Sequence, residues 1–153
     1  MARMNPASLS PAGINAMVGL ETYLRQCGLE KQLLHLIKFR ASQINGCAYC
    51  LDMHYRDLRA GGETEQRLAC LPAWHECPFY TDRERAALAW TEAVTLVADT
   101  HVPDAVYDQA RGQFSEKELA DLTLAVATIN AWNRLSISAR TAPGEVKPST
   151  AHA

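Results

Sequence analysis

The sequence predicts an all-α fold of about six or seven helices, and three observations support this prediction. Apolar residues recur at steps of three and four along most segments, the spacing that gathers side chains on one face of a helix. Two segments begin with Thr or Ser and carry Glu three residues later, the capping box that satisfies free backbone donors at a helix start. The sequence shows no convincing alternation of apolar and polar residues of the kind that marks a half-buried strand.

The first two helices lead to the most distinctive part of the chain. Ser10 and Pro11 match an N-cap followed by a first-turn proline, and the helix that they open is expected to end near Gly28. The next segment, EKQLLHLIKFRASQING, carries an apolar stripe at helical spacing. It ends at Gly46, which tolerates positive φ, so a second helix should stop just before Cys47.

The middle of the chain is expected to hold a third helix from Cys47 to Ala60 and a short fourth helix over residues 63–71. Pro72 and Pro78 then predict a loop or a broken turn in the stretch PAWHECPFY. A loop of this kind, with its aromatic residues, either lines a pocket or covers a core, and we expect the second. The residues concerned are Trp74, His75 and Tyr80.

The second half of the chain is predicted to be helical again. Capping boxes at Thr81 and Ser115 start two helices, and a short helix opened by Pro103 lies between them. The last helix carries apolar residues at helical steps up to Ile137 and is expected to be the longest buried element. The tryptophans of these helices, Trp90 and Trp132, are expected to serve in packing or at a subunit interface.

Composition limits the domain count and the classes of partner. The 153 residues are 48% hydrophobic and 21% charged with a formal net charge of -2, so nucleic acid and anionic membranes are not expected as partners. The sequence shows neither a secretory signal nor an apolar run long enough to span a membrane, which predicts a cytoplasmic protein. Residues 142–153 are rich in small residues and proline, so they are predicted to be a flexible tail of one domain spanning 1–153.

The stretch NGCAYCLDMH contains the candidate site. If a helix begins at Cys47, then at 3.6 residues per turn Cys50 and His54 project within about 60° of it. Cys50 and His54 are i,i+4 neighbours, close enough for the imidazole to accept or share the thiol proton. Cys47 would lie in the first turn, where the partial positive charge of the helix end favours a thiolate.

Several interpretations of the cysteine pair compete. A structural disulfide across so short a loop constrains the unfolded chain little, and a reducing compartment opposes it. A covalent haem site would need histidine at position 51, where this chain has Leu51. Two small apolar thiols could also simply pack in a core. Redox chemistry, in which one thiolate attacks and the other resolves the product, is the preferred interpretation.

Zinc is the serious competitor to redox chemistry. The second cluster, CLPAWHEC, could complete a four-ligand set, but its spacing matches no standard zinc finger. A zinc-binding structural protein therefore stays as the non-enzymatic alternative. The ligands considered are Cys47, Cys50 and His54 with Cys70, His75 or Cys77. Without zinc, Cys70 and Cys77 are expected to be spare thiols.

The stretch FRASQINGCAYCLDMH resembles the core signature of the alkylhydroperoxidase AhpD-like family, within the wider carboxymuconolactone decarboxylase superfamily. The resemblance covers roughly residues 14–97 and extends to the later helices over 82–137. It implies an all-helical, AhpD-like domain with the CxxC at a helix N-terminus, and assembly as a homo-oligomer of two, three or six subunits. It implies no metal, haem or flavin cofactor.

The resemblance also implies an activity and roles for the site residues. Cys50 would attack a hydroperoxide and become a sulfenic acid, while Cys47 would supply a proton and then form the disulfide. His54 matches the relay histidine, and an external dithiol or redox protein would restore the thiols. The alternative within the family is a CxxC disulfide reductase or adaptor for a partner peroxiredoxin. The lactone decarboxylases of the superfamily are not CxxC redox enzymes, so the intact pair argues against that branch.

One position departs from the family pattern. Twelve residues before Cys47, where the family typically has a glutamate that begins the proton relay, this chain has His35. A neutral imidazole can relay a proton but brings no fixed negative charge, so activity should depend on pH near 6–7 if His35 takes part. Otherwise His35 is a surface histidine or a satisfied core histidine. The charged residues after the motif, Arg56, Asp57 and Arg59, are expected to form a solvated helix face.

Overall fold

Helices account for almost all regular structure in the computed structural model, which describes residues 2–144. These residues contain nine α-helices, a 3-10 turn at Leu71–Ala73 and no strand, which confirms the all-α prediction. The α-helices are α1 (Pro6–Leu9), α2 (Pro11–Leu24), α3 (Lys31–Asn45), α4 (Ala48–Ala60), α5 (Glu65–Cys70), α6 (Asp82–Thr95), α7 (Val97–Thr100), α8 (Asp104–Arg111) and α9 (Glu116–Ala139).

The count is higher than six or seven because of α1 and α7. Each has four residues, one turn, which is too short for an apolar period to show in a sequence. Both predicted capping boxes form, at Thr81 with Glu84 and at Ser115 with Glu118. The longest helix is α9, as expected, with 24 residues.

Helix α3 lies at the centre of the packing, in contact with α4, α6 and α9. One group of buried apolar residues joins α3 to α6 and α9, including Ile37, Ala86 and Leu122. A second group lies on the other side of α3 and includes Leu58. The aromatic loop between α5 and α6 belongs to this second group, so it covers the core as expected. Its buried members include Trp74 and Tyr80.

A tight turn between α3 and α4 presents the cysteine motif. Gly46 closes α3 with φ 70°, a left-handed conformation in which glycine carries no steric penalty. Cys47 then has extended backbone angles and serves as the N-cap of α4, whose first helical residue is Ala48. The helix therefore starts one residue later than predicted, because the backbone N–H of Cys47 still bonds back to the carbonyl of Ser42 at 3.0 Å.

Side-chain amides fix the end of α3 against α9. The Asn45 amide donates to Asn133 Oδ1 at 2.9 Å and to Asn130 Oδ1 at 3.0 Å. Asn133 in turn donates to the Ser42 hydroxyl at 3.0 Å. Buried polar groups are costly unless paired, so this connected set specifies how α9 lies beside the motif.

Two sequence predictions concern the ends of the chain and membranes. The predicted tail over 142–153 falls outside the described residues from position 145 on. Within residues 2–144, none of the helices is both long and apolar enough to cross a membrane.

Candidate active site

A cavity of about 710 Å³ lies between α2, α3, α4 and α9. Three of the four predicted site residues line it: His35 from α3, and Cys50 and His54 from α4. Trp132 of α9, predicted to serve in packing or at an interface, lines the same cavity beside Cys50. The predicted residues therefore gather around one space that a small molecule could enter.

The two motif cysteines touch each other. The Cys47 thiol donates to Cys50 Sγ across 2.9 Å, and each residue is only 1% exposed. Because a disulfide is about 2.0 Å long, the bond could form after the sulfurs approach by roughly 1 Å. Only Cys50 faces the cavity, whereas Cys47 packs behind it with Ala41 and Ile129. A molecule in the cavity can therefore reach the Cys50 thiol but not the Cys47 thiol.

The surroundings of Cys50 favour the protonated thiol. Burial, and then the hydrogen bond from Cys47, raise the pKa of Cys50 to about 12. The Asn133 amide and the Ser136 hydroxyl, whose Oγ is 3.9 Å from the sulfur, act in the opposite direction. At neutral pH the resting Cys50 is therefore in the thiol form.

His54 does not share the Cys50 proton directly, contrary to the expectation from i,i+4 spacing. Among residues 2–144 the Nδ1 atom of His54 pairs with His35, while its Nε2 atom is buried without a hydrogen-bond partner. The Cys50 sulfur is directed to α9, and the His54 ring is directed to α3. The spacing allowed the contact, but competing neighbours on two other helices decide the side-chain orientations.

The two histidines form a close pair. Their Nδ1 atoms are 3.4 Å apart. Burial, with the positive charges of Lys38 and His35, lowers the pKa of His54 to about 3. Burial also lowers the pKa of His35, although the carboxylate of Asp57 opposes the shift. Both shifts favour the neutral imidazole, and the lowered pKa of His35 moves its titration to lower pH than that of an ordinary histidine.

Asp57 is exposed, as predicted, but it also belongs to the site, which its place in the sequence did not indicate. Its Oδ2 atom lies 3.6 Å from His35 Nδ1 and 3.9 Å from His54 Nδ1. Its neighbours Arg56 and Arg59 are exposed, as predicted. The available signal was the i,i+3 spacing from His54, one helical turn away. Asp57 supplies the negative charge that His35 lacks.

A buried ion pair completes the polar lining of the cavity. Lys38 Nζ donates to Glu21 Oε2 at 2.5 Å, and both residues line the cavity. Glu21 offsets part of the Lys38 charge inside the wall, although Lys38 still lowers the pKa of His54. Nothing in the sequence motif pointed to these residues, because they come from α2 and α3 and meet only after packing.

The predicted zinc ligands do not assemble. In the described part of the chain, the group whose ligand atoms come together is His35, His54 and Asp57, without any cysteine. All five cysteines are free, and those of the second cluster pack in the separate core around Trp74. The sequence-based alternative of a cysteine zinc site is therefore wrong for this fold.

Sequence comparison with known proteins finds a matching family and a similar relative. Residues 11–93 match the model of the carboxymuconolactone decarboxylase family. The chain is 44% identical to the protein YdfG of Bacillus subtilis over 136 residues, which are 89% of this chain and 92% of YdfG.

Solved structures resemble this one as well. ATU0492 of Agrobacterium tumefaciens, a protein of unknown function suggested to be the antioxidant defence protein AhpD, superposes with a TM-score of 0.92. It is 42% identical and covers 95% of this chain and 100% of its own. A peroxidase-related protein of Ralstonia eutropha with an alkylhydroperoxidase AhpD core shares the fold, with a TM-score of 0.79 and 20% identity. That match covers 91% of this chain and 74% of the other.

Proposed function

The chain belongs to the carboxymuconolactone decarboxylase family, and we propose that within it this AhpD-like protein is a thiol-dependent hydroperoxide reductase. One observation carries the proposal. Two reduced cysteines lie 2.9 Å apart, and only Cys50 faces a cavity of about 710 Å³. This arrangement separates an attacking thiol from a resolving thiol.

In the first step Cys50 sulfur attacks the terminal oxygen of the hydroperoxide. The S–O bond forms as the O–O bond breaks, which leaves Cys50 as a sulfenic acid and releases an alcohol. The Cys50 proton leaves the sulfur and an equivalent proton reaches the alcohol oxygen. Since the resting thiol has a pKa of about 12, proton removal has to accompany attack, assisted by Asn133 and Ser136 beside the sulfur.

His54 is the proton acceptor best placed for this step. It lines the same cavity as Cys50, and its buried Nε2 atom has no hydrogen-bond partner among residues 2–144, so one water or the substrate itself can connect the two groups. Once His54 takes the proton, His35 at 3.4 Å and the Asp57 carboxylate at 3.9 Å can share the positive charge. Asp57 thereby does what a carboxylate at position 35 would otherwise do.

In the second step the Cys47 thiol condenses with the Cys50 sulfenic acid. The S–S bond forms, the S–O bond breaks, and the oxygen leaves as water with the Cys47 proton. An external dithiol then reduces the disulfide and is itself oxidised. With both cysteines 1% exposed, a small dithiol that enters the cavity suits this step better than a protein surface.

The proposal is tested by consumption of an organic hydroperoxide in the presence of dithiothreitol. Cys50→Ser should abolish turnover, and Cys47→Ser should prevent the intramolecular disulfide and lower turnover to what direct reaction of dithiothreitol with the sulfenic acid supports. Cys70→Ser, in the separate core, is the matched control and should keep activity. A stoichiometric dose of hydroperoxide should remove two hydrogens from the Cys47–Cys50 peptide. Full turnover in either motif variant would reject the proposal, and activity only with an added peroxiredoxin would favour the adaptor alternative.

A further inference from the structure

Three side chains from two helices converge at one end of the cavity. His35 of α3, with His54 and Asp57 of α4, bring their ligand atoms within 4.8 Å of one another. The distances are 3.4 Å between the two Nδ1 atoms, and 3.6 Å and 3.9 Å from these atoms to Asp57 Oδ2. Two imidazoles and a carboxylate form a donor set that divalent transition metals prefer.

The size of this triangle matches a metal ion. A circle through atoms separated by 3.4, 3.6 and 3.9 Å has a radius of about 2.1 Å, so an ion displaced from their plane to accept a tetrahedral fourth ligand would lie about 2.2 Å from each atom. Zinc bonds to histidine nitrogen and carboxylate oxygen are about 2.0 to 2.2 Å long. Tetrahedral bonds of this length place ligand atoms about 3.4 Å apart, whereas octahedral ones place them about 3.0 Å apart. The observed spacing fits tetrahedral zinc better.

The surroundings allow an ion to enter and to remain. The Asp57 side chain is 46% exposed and gives access from solvent, while His54 is 4% exposed and holds the inner position. Lys38 opposes a cation at the triangle, but its ion pair with Glu21 at 2.5 Å reduces that effect, and Asp57 contributes a negative charge of its own. The cavity beside the triangle leaves room for a water as fourth ligand.

We propose that His35, His54 and Asp57 bind one divalent transition-metal ion, with zinc the best geometric match and a water completing the coordination. This site is distinct from the cysteine pair and is not a cofactor site for peroxide reduction. If the proposed function holds, metal binding occupies the nitrogen through which His54 meets its partners. The ion would then inhibit turnover reversibly, which would make the site a metal-responsive control of the peroxidase.

The site is tested by calorimetric titration of Zn²⁺ into protein whose Cys47–Cys50 pair is oxidised, so that the motif offers no thiolate. One equivalent should bind. His35→Ala and Asp57→Asn should each weaken binding at least about tenfold. Asp52→Asn removes a carboxylate from the same helix outside the triangle, and His75→Ala removes an exposed histidine elsewhere, so both should bind as the parent does.

Co²⁺ provides an independent readout of the ligand atoms. Nitrogen and oxygen ligands should give visible d–d absorption without the intense sulfur charge-transfer band that thiolate ligands produce. Absence of zinc binding, equal weakening by Asp57→Asn and Asp52→Asn, or a sulfur band would each overturn the site and leave a hydrogen-bonded triad only. The two proposals can fail separately. If the parent protein binds zinc and the triangle variants do not, the site is upheld even when the parent shows no hydroperoxide turnover, a result that would reject only the proposed function.

Discussion

The state of the Cys50 thiol gives the sharpest prediction. With a pKa of about 12, the thiolate fraction at pH 7 is on the order of 10⁻⁵, against about 3% for an ordinary cysteine with a pKa of about 8.5. Alkylation of reduced Cys50 by iodoacetamide should therefore be at least roughly a thousandfold slower at pH 7 than alkylation of a free thiol. Its rate should also rise about tenfold per pH unit up to pH 10 without reaching a plateau.

The measurement follows carbamidomethylation of the Cys50 peptide by mass spectrometry, with N-acetylcysteine as the reference thiol. Burial slows the reagent at every pH, so the slope against pH, and not the absolute rate, reports ionisation. Ser136→Ala removes a group that lowers the pKa of Cys50 and should slow the reaction further at each pH. A plateau below pH 9 would show a preformed thiolate and would refute this description of the site.

Two further predictions concern stability. Gly46→Ala should lower the free energy of unfolding by about 1 kcal/mol or more, because φ is 70° at this position. Gly19→Ala lies inside α2 with free space around the new methyl group, so it should raise the free energy of unfolding by about 0.5 to 1 kcal/mol. Denaturant titration of both variants measures these changes, and changes of the same sign would contradict the prediction. The pKa of His54 is about 3 in the folded protein and near 6.5 in the unfolded chain, so the unfolded chain binds the proton first as the pH falls. The free energy of unfolding should therefore fall by up to about 1.4 kcal/mol per pH unit between pH 6.5 and pH 3. His54→Gln should flatten this part of the stability profile, and a profile unchanged by the substitution would show that other groups cause it.

The fold was largely predictable because its signals are local. Capping boxes at Thr81 and Ser115, and the glycine at position 46, act within one turn of where they occur, and each begins or ends a helix in the structure. The cysteine pair was predictable for the same reason, since a three-residue step at a helix start brings two thiols together. The helices that escaped prediction, α1 and α7, are single turns.

The rest of the site depends on contacts between distant segments. Trp132 and the Lys38–Glu21 pair reach the cavity from three helices, and no spacing within one motif encodes that meeting. The orientation of His54 was missed for a related reason. Its spacing from Cys50 places both side chains on the same face of α4, but the His54 ring pairs with His35 on α3 instead. Sequence periodicity predicts neighbours, and packing chooses among them.

The substitution at position 35 changes what this corner of the cavity can bind. An imidazole stands where the resemblance led us to expect a carboxylate, and Asp57 brings a carboxylate to the same place from α4. The local formal charge is therefore kept, while a second nitrogen ligand is added beside His54. A corner that would hold one carboxylate and one histidine for proton transfer thus becomes a set of two histidines and a carboxylate. Because Asp57 keeps a negative charge beside His54, the proposed proton relay can be retained. The additional nitrogen of His35 accounts for the proposed affinity for a metal ion.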